Sequence, residues 1–436
     1  MVFRANGPRP FRTQVLVTLG LFALVVMFLA FSRPSGSAQP KVRKRHASLF
    51  HLGFSDAPTP APKPNVPALA PIKPGVITQK RLEGFDPKLG RFVKGRWVVT
   101  LPDQTRVTTT IDPHLQKLVA YLFRTAEVPF GAFVAIDVRT GKVLAFVEHS
   151  SEQPQRRGLA RQAIAPAASV FKVITTAALL ELAKLSPRQK VCYHGGRNGI
   201  RESNLRDDPK RDRRCTTVTE ALGKSTNAVF GKLAHKYLTT ERLQRFASQF
   251  GFNAELPFVL PAETGRALVP RDPLGMANTA AGFWNTTLSP LHAAMIVQSI
   301  ANGGVMMRPY LVEDASRNGV VVMGETPLAL RRTVSPHVAG LLKQMMLATT
   351  EHGSARRYFS RRKEALRGIK VAGKTGSLSS RSGPYLHYSW FVGLAPLEKP
   401  TIAIAAFVGN RAKWKIKSAY VAREALTVWF QHHPPK

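Results

Sequence analysis

Three short groups of side chains in this chain combine types that can attack a carbonyl and move a proton. Ser169 stands three residues before Lys172, Ser225-Thr226-Asn227 sets a hydroxyl and an amide two positions apart, and Lys374-Thr375-Gly376 ends the alternating run 369–372. A serine hydroxyl is a weak nucleophile until a neighbouring base takes its proton. A lysine serves as that base only where burial disfavours its charged form. At a spacing of three, Lys172 falls on the same helix face as Ser169, one turn on. Ser169 also lies where Ala/Pro-rich sequence gives way to an apolar helix, and helix-start N–H groups favour an alkoxide. The Ser225/Asn227 pair can relay a proton and hold an amide. Lys374 and Thr375 at a strand edge can meet a carboxylate, while free strand N–H groups hold an oxyanion.

Each pattern has a competitor within the chain. Ser360-Arg361-Arg362-Lys363 repeats the first spacing, but among arginines that read as solvated surface. Ser316-Arg317-Asn318 repeats the second and is expected in a turn after a strand at 309–312. Residues 368–375 match the phosphate-loop pattern G-x-x-x-x-G-K-T letter for letter. That loop needs a strand before it and a helix after it. Here a charged stretch precedes, a Ser/Gly-rich one follows, and no aspartate occurs after residue 375 to hold a metal.

The elements that must position these groups are legible in outline. Residues 97–101 and 106–111 read as a hairpin, as do 133–136 and 143–147 around Arg139-Thr140-Gly141-Lys142. Asp112-Pro113 is an N-cap followed by proline at the first helical position, predicting a helix to about residue 125. A long apolar helix starts near Ala168 and stops before Pro187. Another opens at Ser289-Pro290 and closes at Gly303-Gly304. Strands are expected at 369–375, 387–394 and 401–408, with a last helix at 418–431. The order predicts an α+β fold with a central antiparallel β-sheet packed with helices.

The chain has 436 residues, 44% hydrophobic and 20% charged, an ordinary globular composition. Its charge is unusual: 63 Lys+Arg against 26 Asp+Glu give +37, spread along the chain. Such a field favours anionic lipid or polymer surfaces, and no nucleic-acid motif accompanies it. Two cysteines exclude a disulfide-dense scaffold and a Cys-only zinc site, and Cys192 with His194 lacks further metal ligands. Residues 13–32 are 20 uncharged residues between Arg12 and Arg33. At 1.5 Å per residue they match a hydrocarbon core of about 30 Å. They are read as a single transmembrane anchor after a cytoplasmic tail at 1–12. A signal peptide cleaved near Gly36-Ser37-Ala38 is the alternative. Residues 58–74 hold seven prolines and make 33–94 a semi-rigid linker. The remaining unit is placed at 95–432.

Taken in order, the three motifs form the set Ser-x-x-Lys, Ser-x-Asn, Lys-Thr-Gly that marks penicillin-binding proteins and serine β-lactamases. Flanking text resembles a penicillin-binding transpeptidase domain over residues 95–432: Thr110-Ile111-Asp112-Pro113, Val134-Ala135-Ile136-Asp137, Ile300-Ala301-Asn302-Gly303-Gly304 and Phe391-Val392-Gly393-Leu394-Ala395-Pro396. The resemblance implies the serine penicillin-recognising transpeptidase fold and acyl transfer on the D-Ala-D-Ala ends of peptidoglycan stem peptides, inhibited by β-lactams. It implies Ser169 as nucleophile, Lys172 as base, Ser225 as relay to the leaving amine and Lys374 as the groove's cation. Asn227, Thr375, Gly376 and Ser377 would bind substrate, with the N–H groups of Ser169 and Ser377 as oxyanion hole. No cofactor or metal is implied. The domain would face outward from the cytoplasmic membrane into the periplasm, beside a separate glycosyltransferase. Cys192 and Cys215 would then sit in an oxidising space, where a disulfide is favoured over free thiols. A D,D-carboxypeptidase, a β-lactamase and a non-catalytic penicillin sensor or wall scaffold are the alternatives. Two departures stand out: the short Pro-rich linker in place of the family's usual pedestal, and Ala167-Ala168 before the serine in place of Pro-Gly.

Overall fold

The computed structural model describes residues 82–196, 199–360, 366–380 and 385–435. The apolar stretch 13–32 and the Pro-rich run lie outside the described residues. Among the described residues no helix is long and apolar enough to cross a membrane.

Packing begins before residue 95. Phe85 is buried, and the indole N–H of Trp97 donates to the Pro87 carbonyl at 2.9 Å. Strands β1 (Arg91–Val93) and β2 (Arg96–Thr100) pair antiparallel across Lys94-Gly95, both at positive φ. The linker expected to run to residue 94 therefore ends earlier: a left-handed pair at the turn suits the twist of a tight hairpin. Next come β3 (Arg106–Thr109), α1 (Pro113–Thr125), β4 (Phe130–Asp137) and β5 (Val143–His149). Asp112 caps α1 by accepting from the Leu115 amide at 2.8 Å. Helix α2 (Phe171–Leu182) follows, then β6 (Lys190–Tyr193), β7 (Arg214–Thr217), α3 (Val218–Lys224) and α4 (Asn227–Tyr237). Helix α5 (Pro290–Ala301), strands β8 (Val312–Arg317) and β9 (Val320–Gly324), and helix α6 (Pro336–Glu351) lead to the last sheet strands. These are β10 (Ala372–Ser379), β11 (His387–Ala395) and β12 (Ile402–Asn410), closed by α7 (Ser418–His432).

The central sheet runs β10-β11-β12-β4-β5, antiparallel throughout. Side chains alternate between its two faces with period two. On β4, Ala132, Val134 and Ile136 enter the larger core, shared with α2 and α5. Phe133 and Ala135 enter a second core, shared with α1 and α7. Both faces are covered, which is why β12 is buried at every position and apolar up to its last residue, Asn410. Residues 171–180 of α2 are all buried, as expected of a helix apolar all round. A second antiparallel sheet, β1-β2-β3-β8-β9, packs at the N-terminal end.

Two further expectations shift. The strand placed at 369–375 begins at Ala372 and continues through Ser379, because β10 pairs with β11 from Ala372↔Leu394 to Ser379↔His387. Cross-strand pairing along that whole length outweighs the weak strand propensity of the Gly/Ser text. No helix follows Thr375, so the phosphate-loop arrangement is absent. Ser316 and Arg317 belong to β8 rather than to the turn, which is Asn318-Gly319, both at positive φ.

Candidate active site

Ser169 sits in a single 3-10 turn, Ala168–Val170, that feeds directly into α2. The turn is forced into place from behind. Ala168 has φ +48°, and Gly282 (φ +83°) lies so close that a Cβ there would stand 2.1 Å from the Ala168 carbonyl oxygen. Only glycine fits that approach. In front, edge strand β10 passes the turn at Gly376. A Cβ at Gly376 would fall 3.2 Å from Trp390 Cβ and 3.4 Å from Ala168 Cβ. Trp390 donates to the Pro166 carbonyl at 3.0 Å, pinning β11 to the strand before the serine.

The three motifs meet here although long stretches of chain separate them. Lys172 Nζ lies 2.9 Å from Ser169 Oγ, 2.7 Å from Asn227 Oδ1 and 2.5 Å from the Ala281 carbonyl oxygen. Its side chain is fully buried. Burial first, and then the nearby Lys374 charge, holds its pKa well below the usual lysine range. A neutral amine has two N–H bonds and one lone pair. Asn227 Oδ1 and the Ala281 carbonyl accept the two N–H bonds, leaving the lone pair for the Ser169 hydroxyl proton. That is the hydrogen-bond pattern of a nucleophile with its base.

Ser225 caps the end of α3 in the left-handed region (φ 58°, ψ 44°), and Asn227 opens α4 two residues later. The sharp reversal sets Ser225 against Lys374 and Asn227 against Lys172. Lys374, also fully buried, donates to Ser225 Oγ and to the Thr375 carbonyl, each at 2.9 Å. Burial lowers its pKa to about 7. Thr375 is half-buried on β10, and Ser377 is exposed two residues further along. Gly376 is buried between them. Ser360 stands apart: it is exposed, and its amide donates to the Arg356 carbonyl.

Sequence reasoning did not find Ser354. Its hydroxyl is 2.5 Å from Thr375 Oγ1 and also reaches the Gly223 carbonyl at 3.2 Å. The Ser354 amide donates to the same carbonyl at 3.0 Å. Ser354 thus ties β10 to the helix that ends in Ser225. No motif marks it, and the tight approach of Gly353, whose Cβ would meet Gly223 O at 2.2 Å, is visible only in the fold.

Cys192 and Cys215 face each other across β6 and β7 and form a disulfide. The loop they close folds around Asp212. That carboxylate receives Lys232 Nζ and His194 Nδ1, both at 2.5 Å, and the Asp208 amide at 2.9 Å. Burial alone would raise its pKa; the Asp208 amide, then Lys232 and His194, bring it down to about 2. His194 is therefore part of an ionic cluster, and among the described residues no group of side chains could hold a metal ion.

A nucleophile with a dry amine base, a second hydroxyl on a second dry amine, and an edge strand alongside make an acyl-transfer site. The family model for the penicillin binding protein transpeptidase domain matches residues 131–427. The chain belongs to the penicillin-binding protein transpeptidase family. The peptidoglycan D,D-transpeptidase PbpA of Mycolicibacterium smegmatis is 30% identical over 75% of this chain and 72% of its own length. Among solved structures, the imipenem acyl-enzyme complex of penicillin-binding protein A from M. tuberculosis superposes with a TM-score of 0.63 at 26% identity, covering 74% of this chain and 79% of that one. The D,D-transpeptidase domain of a peptidoglycan glycosyltransferase from Eggerthella lenta gives 0.62 at 26% identity, covering 75% and 83%. The transpeptidase family thus accounts for the α+β fold and for the order of the three motifs.

Proposed function

We propose that this chain is a serine D,D-transpeptidase that cross-links peptidoglycan stem peptides through a Ser169 acyl-enzyme and is inhibited by β-lactams. The observation that carries this reading is the hydrogen bond between Ser169 Oγ and the buried, charge-depressed Lys172. Lys172 takes the hydroxyl proton as Ser169 attacks the penultimate D-Ala carbonyl. The N–H groups of Ser169 and Ser377 hold the oxyanion. Ser225, held by Lys374, returns a proton to the departing D-Ala amine. Asn227 orients the substrate amide, while Thr375 and the Lys374 charge meet the terminal carboxylate. The acyl group then passes to an acceptor amine. Residues 13–32 anchor the enzyme in the cytoplasmic membrane with residues 82–435 outside, in the compartment where the Cys192–Cys215 bridge is stable. A separate glycosyltransferase supplies the glycan strands.

The test is labelling by a fluorescent penicillin, then product analysis on a stem peptide with and without an acceptor amine. Ser169→Ala should abolish labelling and Ser360→Ala should leave it intact. Lys172→Ala should slow acylation by about 10²–10⁴-fold, the usual worth of a general base. Labelling that survives Ser169→Ala in folded protein would falsify the assignment. Hydrolysis without transfer to the acceptor would instead identify a carboxypeptidase, and rapid release of opened drug a β-lactamase.

A further inference from the structure

The central sheet has two edges. Strand β10 forms one, beside Ser169; β5 forms the other, four strand spacings or roughly 19 Å away. At the β5 edge a cavity of about 750 Å³ opens between α1, β5 and the turn Pro87–Leu89. Its walls include Phe85, Trp97, Tyr121 and Phe146, and its cations include Lys88, Lys117, Arg124 and Arg161. The two carboxylates of the lining are already engaged. Asp86 pairs with Arg157 at 2.7 Å and accepts from the Lys88 amide at 2.9 Å. Glu148 accepts from the Gly158 and Ala160 amides at 2.8 Å each. Among the described residues none of Lys88, Lys117, Arg124 and Arg161 forms a salt bridge. His149 lines the same cavity, and its Nε2 is buried without a partner among the described residues. Burial, then the charges of Lys88 and Arg124, disfavours its imidazolium form. Five cations against two carboxylates that are already engaged leave the cavity an aromatic-walled space with excess positive charge.

Geometry narrows the occupant. Lys117 and Arg124 are exposed and seven residues apart on α1, about 10.5 Å along the helix axis. One turn of polyproline II, three residues, covers about 9 Å and returns residues i and i+3 to the same face. The chain's own linker does not fit: residues 33–81 hold nine Lys/Arg and one Asp, so the pocket repels them. A second copy, also at +37, is repelled likewise. A bilayer is planar and does not enter a concave cavity. We propose that this pocket binds an acidic segment of a partner protein in polyproline-II conformation, with carboxylates three residues apart on Lys117 and Arg124 and an apolar side chain between them against Trp97 and Tyr121.

The test uses full-length protein with Ser169 blocked by penicillin, so that the catalytic groove cannot contribute. The probe is the peptide acetyl-Glu-Phe-Ala-Glu-amide, with its Gln-for-Glu analogue, read by calorimetry and by Trp fluorescence. The Glu peptide should bind at least tenfold tighter than the Gln peptide. Lys117→Gln with Arg124→Gln should weaken it about tenfold while penicillin labelling, the check on folding, is retained. Lys399→Gln with Lys413→Gln removes equal charge from exposed sites elsewhere and should change affinity less than twofold. Equal losses from both pairs would reduce the effect to general charge and overturn the proposal. Equal binding of the two peptides would overturn carboxylate recognition. Tighter binding of a soluble wall stem peptide than of the acidic peptide, lost in Lys117→Gln with Arg124→Gln, would overturn the partner class in favour of the wall.

Discussion

Replacing Lys374 with methionine separates two things that this side chain does. It donates to Ser225 Oγ and the Thr375 carbonyl at 2.9 Å each, and its charge depresses the pKa of Lys172. Losing a hydrogen bond from a charged donor costs roughly 1.5–3 kcal/mol. At 1.4 kcal/mol per factor of ten, the best acylation rate should fall about ten- to 150-fold. The electrostatic effect has a sign of its own. A positive neighbour disfavours the Lys172 ammonium; removing it raises the Lys172 pKa, so less of the base form exists at low pH. The assay is the second-order rate constant for acylation by a penicillin, measured from about pH 5.5 to 9.5. The wild-type profile should climb as Lys172 loses its proton and decline as Lys374, with a pKa of about 7, loses the charge that meets the drug's carboxylate. In Lys374→Met the alkaline decline should vanish, the acid limb should move to higher pH, and the maximum should drop. An acid limb that stays in place or moves to lower pH would refute the claim that Lys374 tunes the base.

Both buried lysines should also cost stability. Their folded pKa values lie below the unfolded value of about 10.4, so unfolding takes up protons and wild-type stability should rise as the pH goes from about 7 to about 10. Lys172→Met with Lys374→Met should melt higher than wild type at about pH 6, with the gap closing towards pH 10; a lower melting temperature at pH 6 would contradict this. Ser354→Ala removes the hydroxyl that touches Thr375 and should slow acylation about two- to tenfold, the worth of one neutral hydrogen bond, without changing the release of bound drug. Lys232→Met leaves Asp212 buried and unpaired on that side and should cost about 3–5 kcal/mol by denaturant unfolding, most of it recovered by adding Asp212→Asn. Failure of the second substitution to recover stability would mean that packing, not charge, sets the cost.

The elements that begin with a cap were the most legible. Asp112-Pro113 and Ser289-Pro290 open helices where their side chains accept from the amides of Leu115 and His292. The sheet strands were legible because a strand buried on both faces reads as a continuous apolar run. What sequence did not reveal was set by contacts between distant segments. The true reach of β10 depends on its pairing with β11 and not on its own Gly/Ser composition. Ser354 has a hydroxyl like many others; only the fold brings it against Thr375 and Gly223. Gly282 looks like any loop glycine until the Ala168 carbonyl is seen beside it. Position 168 shows the same limit from the other side. The family's glycine would adopt φ +48° freely, whereas the alanine here is held there by what packs behind it.

The two buried amines also explain why both are present. In the proposed mechanism Lys172 acts as a neutral base and Lys374 as a charged partner for a carboxylate, yet they occupy one dry site and the Lys374 charge lowers the Lys172 pKa after burial does. With Lys374 near neutrality in the free enzyme, a carboxylate arriving at Thr375 stabilises its ammonium form and raises its pKa. The carboxylate by itself would hold a proton on Lys172, and the Lys374 charge that it secures offsets this, so the base can stay neutral while the ligand is bound. A ligand lacking the carboxylate gives up its own contacts and this coupling together. An ester-blocked penicillin should therefore acylate Ser169 slowly, and at saturating drug its alkaline decline should lie at lower pH than that of the free acid. Alkaline declines that coincide for the two drugs would show that the carboxylate does not hold the Lys374 charge.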